Sequence, residues 1–239
     1  RKMEKEASSS STERHLSQLG HGPNPRKMRR LLGKLQRGFI KENLFIYIFF
    51  QSYDFWYQPY HNVMISTEWG HPRSFFGGLD LKDVEAGNYG THLNVYDWKQ
   101  RKLIQKVDLG LEGVMPLEIR FLHNPKATEG FVGSALFANM FRYYKTDKGD
   151  WAAEKVIDIP NKKVEGWILP EMPGVMTDIL ISMDDKFLYF SNWVHGDIRQ
   201  YDITDTRNPK LTGQVFFGGS VQRGGPVTVT EDKELSVCC

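Results

Sequence analysis

Three acidic residues in this 239-residue chain open short apolar runs in the same way: Asp54 in Tyr53-Asp54-Phe55-Trp56, Glu118 in Leu117-Glu118-Ile119-Arg120, and Asp178 in Thr177-Asp178-Ile179-Leu180. Each run leads about five residues on into a turn (Pro59 to Asn62, His123 to Pro125, Met183 to Asp185) and then into a second run ending in a small residue. The acids stand 64 and 60 residues apart, so a repeating unit sets all three in one register. Carboxylates in one register can converge on a metal, as ligands or as acceptors that orient a ligand imidazole. They can equally accept backbone N–H groups from a neighbouring unit and hold the units together. His195, in His195-Gly196-Asp197, is the imidazole placed to join them, and it also reads as an ordinary turn with a side-chain hydrogen bond.

The elements that position these residues alternate with period two. Val63 to Ser66, Leu93 to Tyr96, Leu103 to Val107, Phe187 to Phe190 and Leu211 to Phe217 are β-branched or aromatic runs bounded by Gly, Asn, Asp and Pro. No run competes as a helix. Asn94 to Asp97, Phe141 to Tyr144 and Arg199 to Asp202 each lead to one more strand, at Leu103 to Leu109, Val156 to Ile159 and Leu211 to Phe217. Aligning Tyr96, Tyr144 and Tyr201 gives spacings of 48 and 57. Four strands per unit at that period predict an all-β fold of β-propeller blades, about three of them. The third unit is the clearest: Thr177 to Ser182 innermost, then Lys186 to Trp193, Ile198 to Ile203 and Lys210 to Phe217. In that order the acids and the His195 hairpin share one end of the sheets. His61 and His123 fall at the other end, and His71 and His92 flank a Gly-rich insertion, Gly70 to Gly90, that reads as a lid or a long loop.

Charge divides the chain where the period changes. Residues 1–52 hold eleven Lys/Arg against four Asp/Glu, whereas 53–239 hold twenty against twenty-five. A basic, Ser-rich and Gly/Pro-rich extension, with apolar residues at helical spacing from Leu31 to Ile40, thus precedes an acidic body. An acidic body is a poor nucleic-acid surface. The longest apolar stretch, Leu44 to Phe50, is far below the roughly 20 residues a membrane helix needs. The only cysteines, Cys238 and Cys239, cannot staple a fold, which fits a reducing setting. Gly218-Gly219-Ser220 and Gly224-Gly225-Pro226 lack the spacing of a phosphate loop, and the six tryptophans read as packing between blades.

Several stretches resemble one family. Tyr53-Asp54-Phe55-Trp56-Tyr57-Gln58-Pro59, His61 to Trp69, Pro116 to Pro125, Leu169 to Gly174 and Ser191-Asn192-Trp193-Val194-His195-Gly196-Asp197-Ile198-Arg199-Gln200-Tyr201-Asp202 are similar to the selenium-binding proteins, also known as methanethiol oxidases. The resemblance runs from about Tyr53 to Leu235. It implies a seven-bladed propeller in the cytosol, in some settings also the nucleus, and a copper-assisted oxidation of methanethiol by O2 and water. Family members are longer on both sides and carry a Cys-Ser-Ser-Cys element to which selenium attachment is ascribed, an element this sequence lacks. An internal fragment of about three blades, inactive alone, is the expectation. On that reading Glu118 and His195 are the catalytic candidates, and Asp54, Glu118 and Asp178 ligate the metal or stand just behind its ligands. The alternative is a non-catalytic scaffold binding selenium species or protein partners through its rims.

Overall fold

A computed structural model of the chain describes residues 52–76 and 78–232. The basic extension, apart from Ser52, and the two cysteines lie outside these residues. Three four-stranded antiparallel sheets follow one another along the chain, as the partial β-propeller expected. Sheet one contains β1 (Ser52–Gln58), β2 (Val63–Glu68), β3 (His92–Asp97) and β4 (Lys102–Asp108). Sheet two contains β5 (Pro116–Phe121), β6 (Glu129–Ser134), β7 (Asn139–Lys145) and β8 (Trp151–Asp158). After β9 (Lys162–Glu165) and β10 (Glu171–Met172) comes sheet three: β11 (Met176–Ile181), β12 (Phe187–Asn192), β13 (Asp197–Asp202) and β14 (Lys210–Phe216). Strand order within each of these three sheets is sequential, so neighbouring strands join directly by hairpins or short loops, except for β2 and β3, between which the Gly70 to Gly90 insertion lies.

The blades stack face to face. Val63, Ile65, Leu93, Val95 and Val107 of sheet one pack with Ile119, Phe121, Val132, Tyr143 and Trp151 of sheet two. Phe131, Met140 and Ile157, on the other face of sheet two, pack with Ile179, Ile181, Leu188 and Phe190 of sheet three. Each fully buried side chain of this kind contributes about 1.5–3 kcal/mol, so these two joints carry the body of the fold. Burial follows from the stacking. Successive residues of β6 and β7 are buried because sheet two is covered on both faces, while β12 and β13 alternate because sheet three is covered on one.

Five features differ from the sequence reading. The register sets Tyr143, not Tyr144, opposite Gly130, as Tyr96 lies opposite Met64 and Tyr201 opposite Leu188. All three in-register tyrosines are buried, and the spacings become 47 and 58. Strand β8 begins at Trp151, five residues before the predicted Val156, because Gln105 holds both backbone groups of Trp151 across the joint (2.7 and 2.8 Å). The Gly70 to Gly90 insertion contains two short helices, α1 (Pro72–Phe76) and α2 (Leu81–Glu85), the second capped by Asp80. Finally, β15 (Thr228–Glu231) returns to pair with β9, and with β10 they form a small three-stranded fourth sheet. Trp193 also departs from the packing role, being 71% exposed.

Candidate functional site

Each innermost strand carries a β-bulge at its acid. Pairing shifts register between Ser52 and Phe55 in β1, between Pro116 and Ile119 in β5, and between Met176 and Ile179 in β11. A bulge leaves one residue outside the ladder and re-aims the residues after it. Met115 and Val175, directly before β5 and β11, add left-handed backbone at φ of 60° and 54°, a strained choice for β-branched Val175. The position facing each bulge is small. Thr67 takes it in sheet one, receiving the Asp54 N–H (3.1 Å) and donating to the Leu117 carbonyl (2.8 Å). Ser191 takes it in sheet three, within 2.7 Å of the Thr177 hydroxyl. In sheet two it is Gly133, where a Cβ would stand 2.9 Å from Met176 Sδ, so the glycine lets the next blade close up.

The re-aimed N–H groups cross the joints. Asp54 Oδ2 accepts the Ile119 N–H at 3.1 Å, and Glu118 Oε2 accepts the Ile179 N–H at 3.0 Å. The same clamp therefore occurs twice, one blade apart. Arg120 ties the two together, donating to the Asp54 carboxylate and, at 3.1 Å, to Glu118 Oε2, with its guanidinium 4.8 Å from the Trp56 ring centre. Asp178, in the third copy, is exposed and, among the described residues, receives only local hydroxyls, from Thr177 (3.2 Å) and Ser191 (3.5 Å). The acids do converge electrostatically. The Tyr53 phenol is pushed up by burial first and then by the charges of Glu118, Asp178 and Asp54 together.

This arrangement binds blades more readily than a metal. The lone pairs of Asp54 and Glu118 already receive charge-assisted hydrogen bonds, and a guanidinium stands between them where a cation would have to enter. Among the described residues no group of three or more His, Cys, Asp or Glu side chains is placed to share a metal ion.

His195 does sit at the same end of the sheets, in the β12–β13 turn, yet its partners are different. It is 1% exposed, and its Nε2 lies 2.9 Å from the Met172 carbonyl. A carbonyl only accepts, so Nε2 carries the proton and Nδ1 keeps a bare lone pair, which meets no partner among the described residues. Burial holds the imidazole below its ordinary pKa, the bond to Met172 acting the other way. Beside it Asp197 accepts from Asn192 (3.1 Å), Arg199 (2.8 Å) and Gln214 (2.7 Å). The small sheet seals this cluster, Met172 and Val164 packing with Val194.

Three other described histidines serve the turns and the end of the insertion. At the far end of the inner strands His123 and Asn124 give their backbone N–H groups to Asp185 (2.7 and 2.9 Å), and His61 Nε2 reaches the Lys126 carbonyl (3.0 Å). His92 pairs with Glu68 at 2.9 Å. A cleft of about 440 Å³ between sheet two and the small sheet is lined by Glu112, Asn139, Asp158, Lys163 and Glu231, with Glu112 on Lys155 (2.7 Å) and Glu231 on Lys163 (2.5 Å). Sequence reasoning passed over Arg120 and Tyr53. Both had a readable signal: Arg120 lies two residues after an acid on the same strand, and Tyr53 directly precedes one.

Residues 48–238 match the family of the 56kDa selenium binding protein (SBP56). A methanethiol oxidase of Xenopus laevis is 70% identical over 184 residues, 77% of this chain, and the human methanethiol oxidase is 61% identical over the same length. A hypothetical selenium-binding protein from Sulfolobus tokodaii shares the fold at a TM-score of 0.67 and 38% identity, over 70% of this chain and 39% of that one. The chain spans 39% of the length of these curated relatives. Among the described residues no helix is long and apolar enough to cross a membrane.

Proposed function

The chain belongs to the 56kDa selenium binding protein family, and from that premise we propose that it forms one arc of a methanethiol-oxidising propeller. The reaction is CH3SH with O2 and H2O giving formaldehyde, hydrogen sulfide and hydrogen peroxide, in a cytosolic setting, with a small thiol and O2 as substrates. The observation that carries this reading is the 70% identity to a methanethiol oxidase across the three blades. Copper, which the resemblance implies, would supply the redox chemistry of such an enzyme. Asp54, Glu118 and Asp178 do not fit it: they are hard oxygen donors, two of them already engaged by N–H groups, with Arg120 in their midst.

Within the arc, Asp54 and Glu118 hold adjacent blades at a fixed spacing, and Arg120 orients both carboxylates. His195 pins the β12–β13 turn to β10 and offers one neutral acceptor, Nδ1, to a buried proton donor. A second reading, a scaffold that binds through its rims, draws on the engagement of these acids in holding the fold. One experiment separates the two. A relative-length form containing this chain, produced with copper supplied, is expected to hold stoichiometric metal and release peroxide from methanethiol. A metal-free protein that releases none leaves the scaffold reading. Glu118→Gln that abolishes metal content in that background would return Glu118 to the metal site.

A further inference from the structure

The turn between the second and third strands is built alike in blades two and three, with one difference that leaves an acceptor open. Asn139 pairs with Ser134 across the β6–β7 turn as Asp197 pairs with Asn192 across the β12–β13 turn. Asp197 accepts three hydrogen bonds, one of them from Arg199 two residues on. Two residues after Asn139 stands Phe141, which offers no side-chain donor. Asn139 gives its Nδ2 to the Glu112 carbonyl (3.0 Å), which fixes the amide's orientation, and its Oδ1 meets no partner among the described residues. The residue is 2% exposed and belongs to the floor of the 440 Å³ cleft between sheet two and the small sheet. A buried acceptor left unmet costs free energy until a donor is brought to it.

The walls of the cleft define that donor. On the blade-two side Glu112 and Asp158 share one cation, Lys155 (2.7 and 3.9 Å). On the small-sheet side Lys162 holds Asp232 and Lys163 holds Glu231, both at 2.5 Å, while Glu171 meets the Asn161 amide at 3.5 Å. Each wall thus keeps one carboxylate charge beyond its lysines among the described residues, and Phe137 and Pro160 add apolar surface to the same cleft. A bare metal ion would leave that surface unused, and no group of three or more His, Cys, Asp or Glu side chains is placed to share one among the described residues. We propose that the cleft binds an aliphatic diamine. One ammonium group donates to Glu112, Asp158 and the Asn139 amide oxygen, the other to Glu171, and the methylene chain between them lies on Phe137 and Pro160. The site stands apart from the oxidase reading, so its test uses no activity.

A relative-length form containing this chain is titrated calorimetrically with cadaverine, pentylamine and magnesium chloride at one ionic strength. Cadaverine is expected to bind about tenfold tighter than pentylamine, because its second ammonium group meets the opposite wall, and to stay bound against an equal concentration of magnesium. Asp158 and Glu171 are exposed and outside the blade joints, so Asp158→Asn and Glu171→Gln should leave Tm unchanged. Each should weaken cadaverine about two- to fivefold, and the two together should bring it to the level of pentylamine. Asn139→Ala should weaken both amines alike; if that variant does not fold, the two surface variants carry the test. Absent cadaverine binding would overturn the proposal. Equal affinities for the two amines would overturn it by showing loose attraction to an acidic surface, and displacement by magnesium by giving the cleft to a metal. Full affinity in the double variant would overturn it by placing the amine elsewhere.

Discussion

Two carboxylate–arginine clusters stand at the same end of the sheets and differ chiefly in how much water reaches them. In the joint between the first two blades, the Arg120, Asp54 and Glu118 side chains are 19%, 24% and 17% exposed. In the β12–β13 turn, Arg199 and Asp197 are 1% and 0% exposed under the small sheet. The chemistry is alike, yet the consequences of losing a member are not. Where water enters, it replaces a lost partner; where it is excluded, the donors that lose an acceptor go unmet. The first cluster can accordingly act as an adjustable joint, and the second as a fixed anchor for the turn that carries His195.

The sharpest challenge to this contrast is Asp197→Ala. Removing the carboxylate takes the acceptor from three donors at once, Asn192, Arg199 Nε and Gln214, beside a turn closed to water, and should cost about 3–5 kcal/mol in a urea titration; a loss no larger than that of the joint variants would erase the distinction. Asp54→Ala comes next, at about 1–3 kcal/mol, because the Ile119 N–H and Arg120 both lose an acceptor, but water can enter the space left by a carboxylate that is itself 24% exposed. A third handle is pH. His195 has a folded pKa below its ordinary 6.5, so the unfolded chain binds the extra proton first, and stability should be full above about pH 6.5 and fall as pH drops through and below it. His195→Gln should flatten that limb of a Tm-against-pH curve, while a slope that persists would assign the acid sensitivity elsewhere. Smallest is Glu118→Gln, at less than about 1 kcal/mol, since the amide oxygen still accepts the Ile179 N–H; its trace is to be sought in the exchange rate of that amide.

The inner strands and the register of their acids were legible because a lone carboxylate at the head of an apolar run breaks the pattern at a fixed interval. The bulges were not. A bulge belongs to a pair of strands, and nothing in Leu117-Glu118 alone says that Gly133 will face it. The same dependence on pairing misplaced the tyrosine repeat by one residue, since Tyr143 and Tyr144 are alike in type and only the partner Gly130 distinguishes them. The burial of His195 was hidden for a different reason. Its own turn reads as polar, and the cover comes from β9, β10 and β15, all of them four residues or shorter and one more than 60 residues from its partner.

The amides of Ile119 and Ile179 have a use beyond holding blades. Most strand amides exchange only when their own ladder comes apart, but these two are protected by a neighbour's carboxylate. Deuterium uptake at Ile119 therefore times the parting of the first and second blades, and uptake at Ile179 that of the second and third, while each sheet stays intact. The chain thus carries a separate clock for each joint, readable without any label being added.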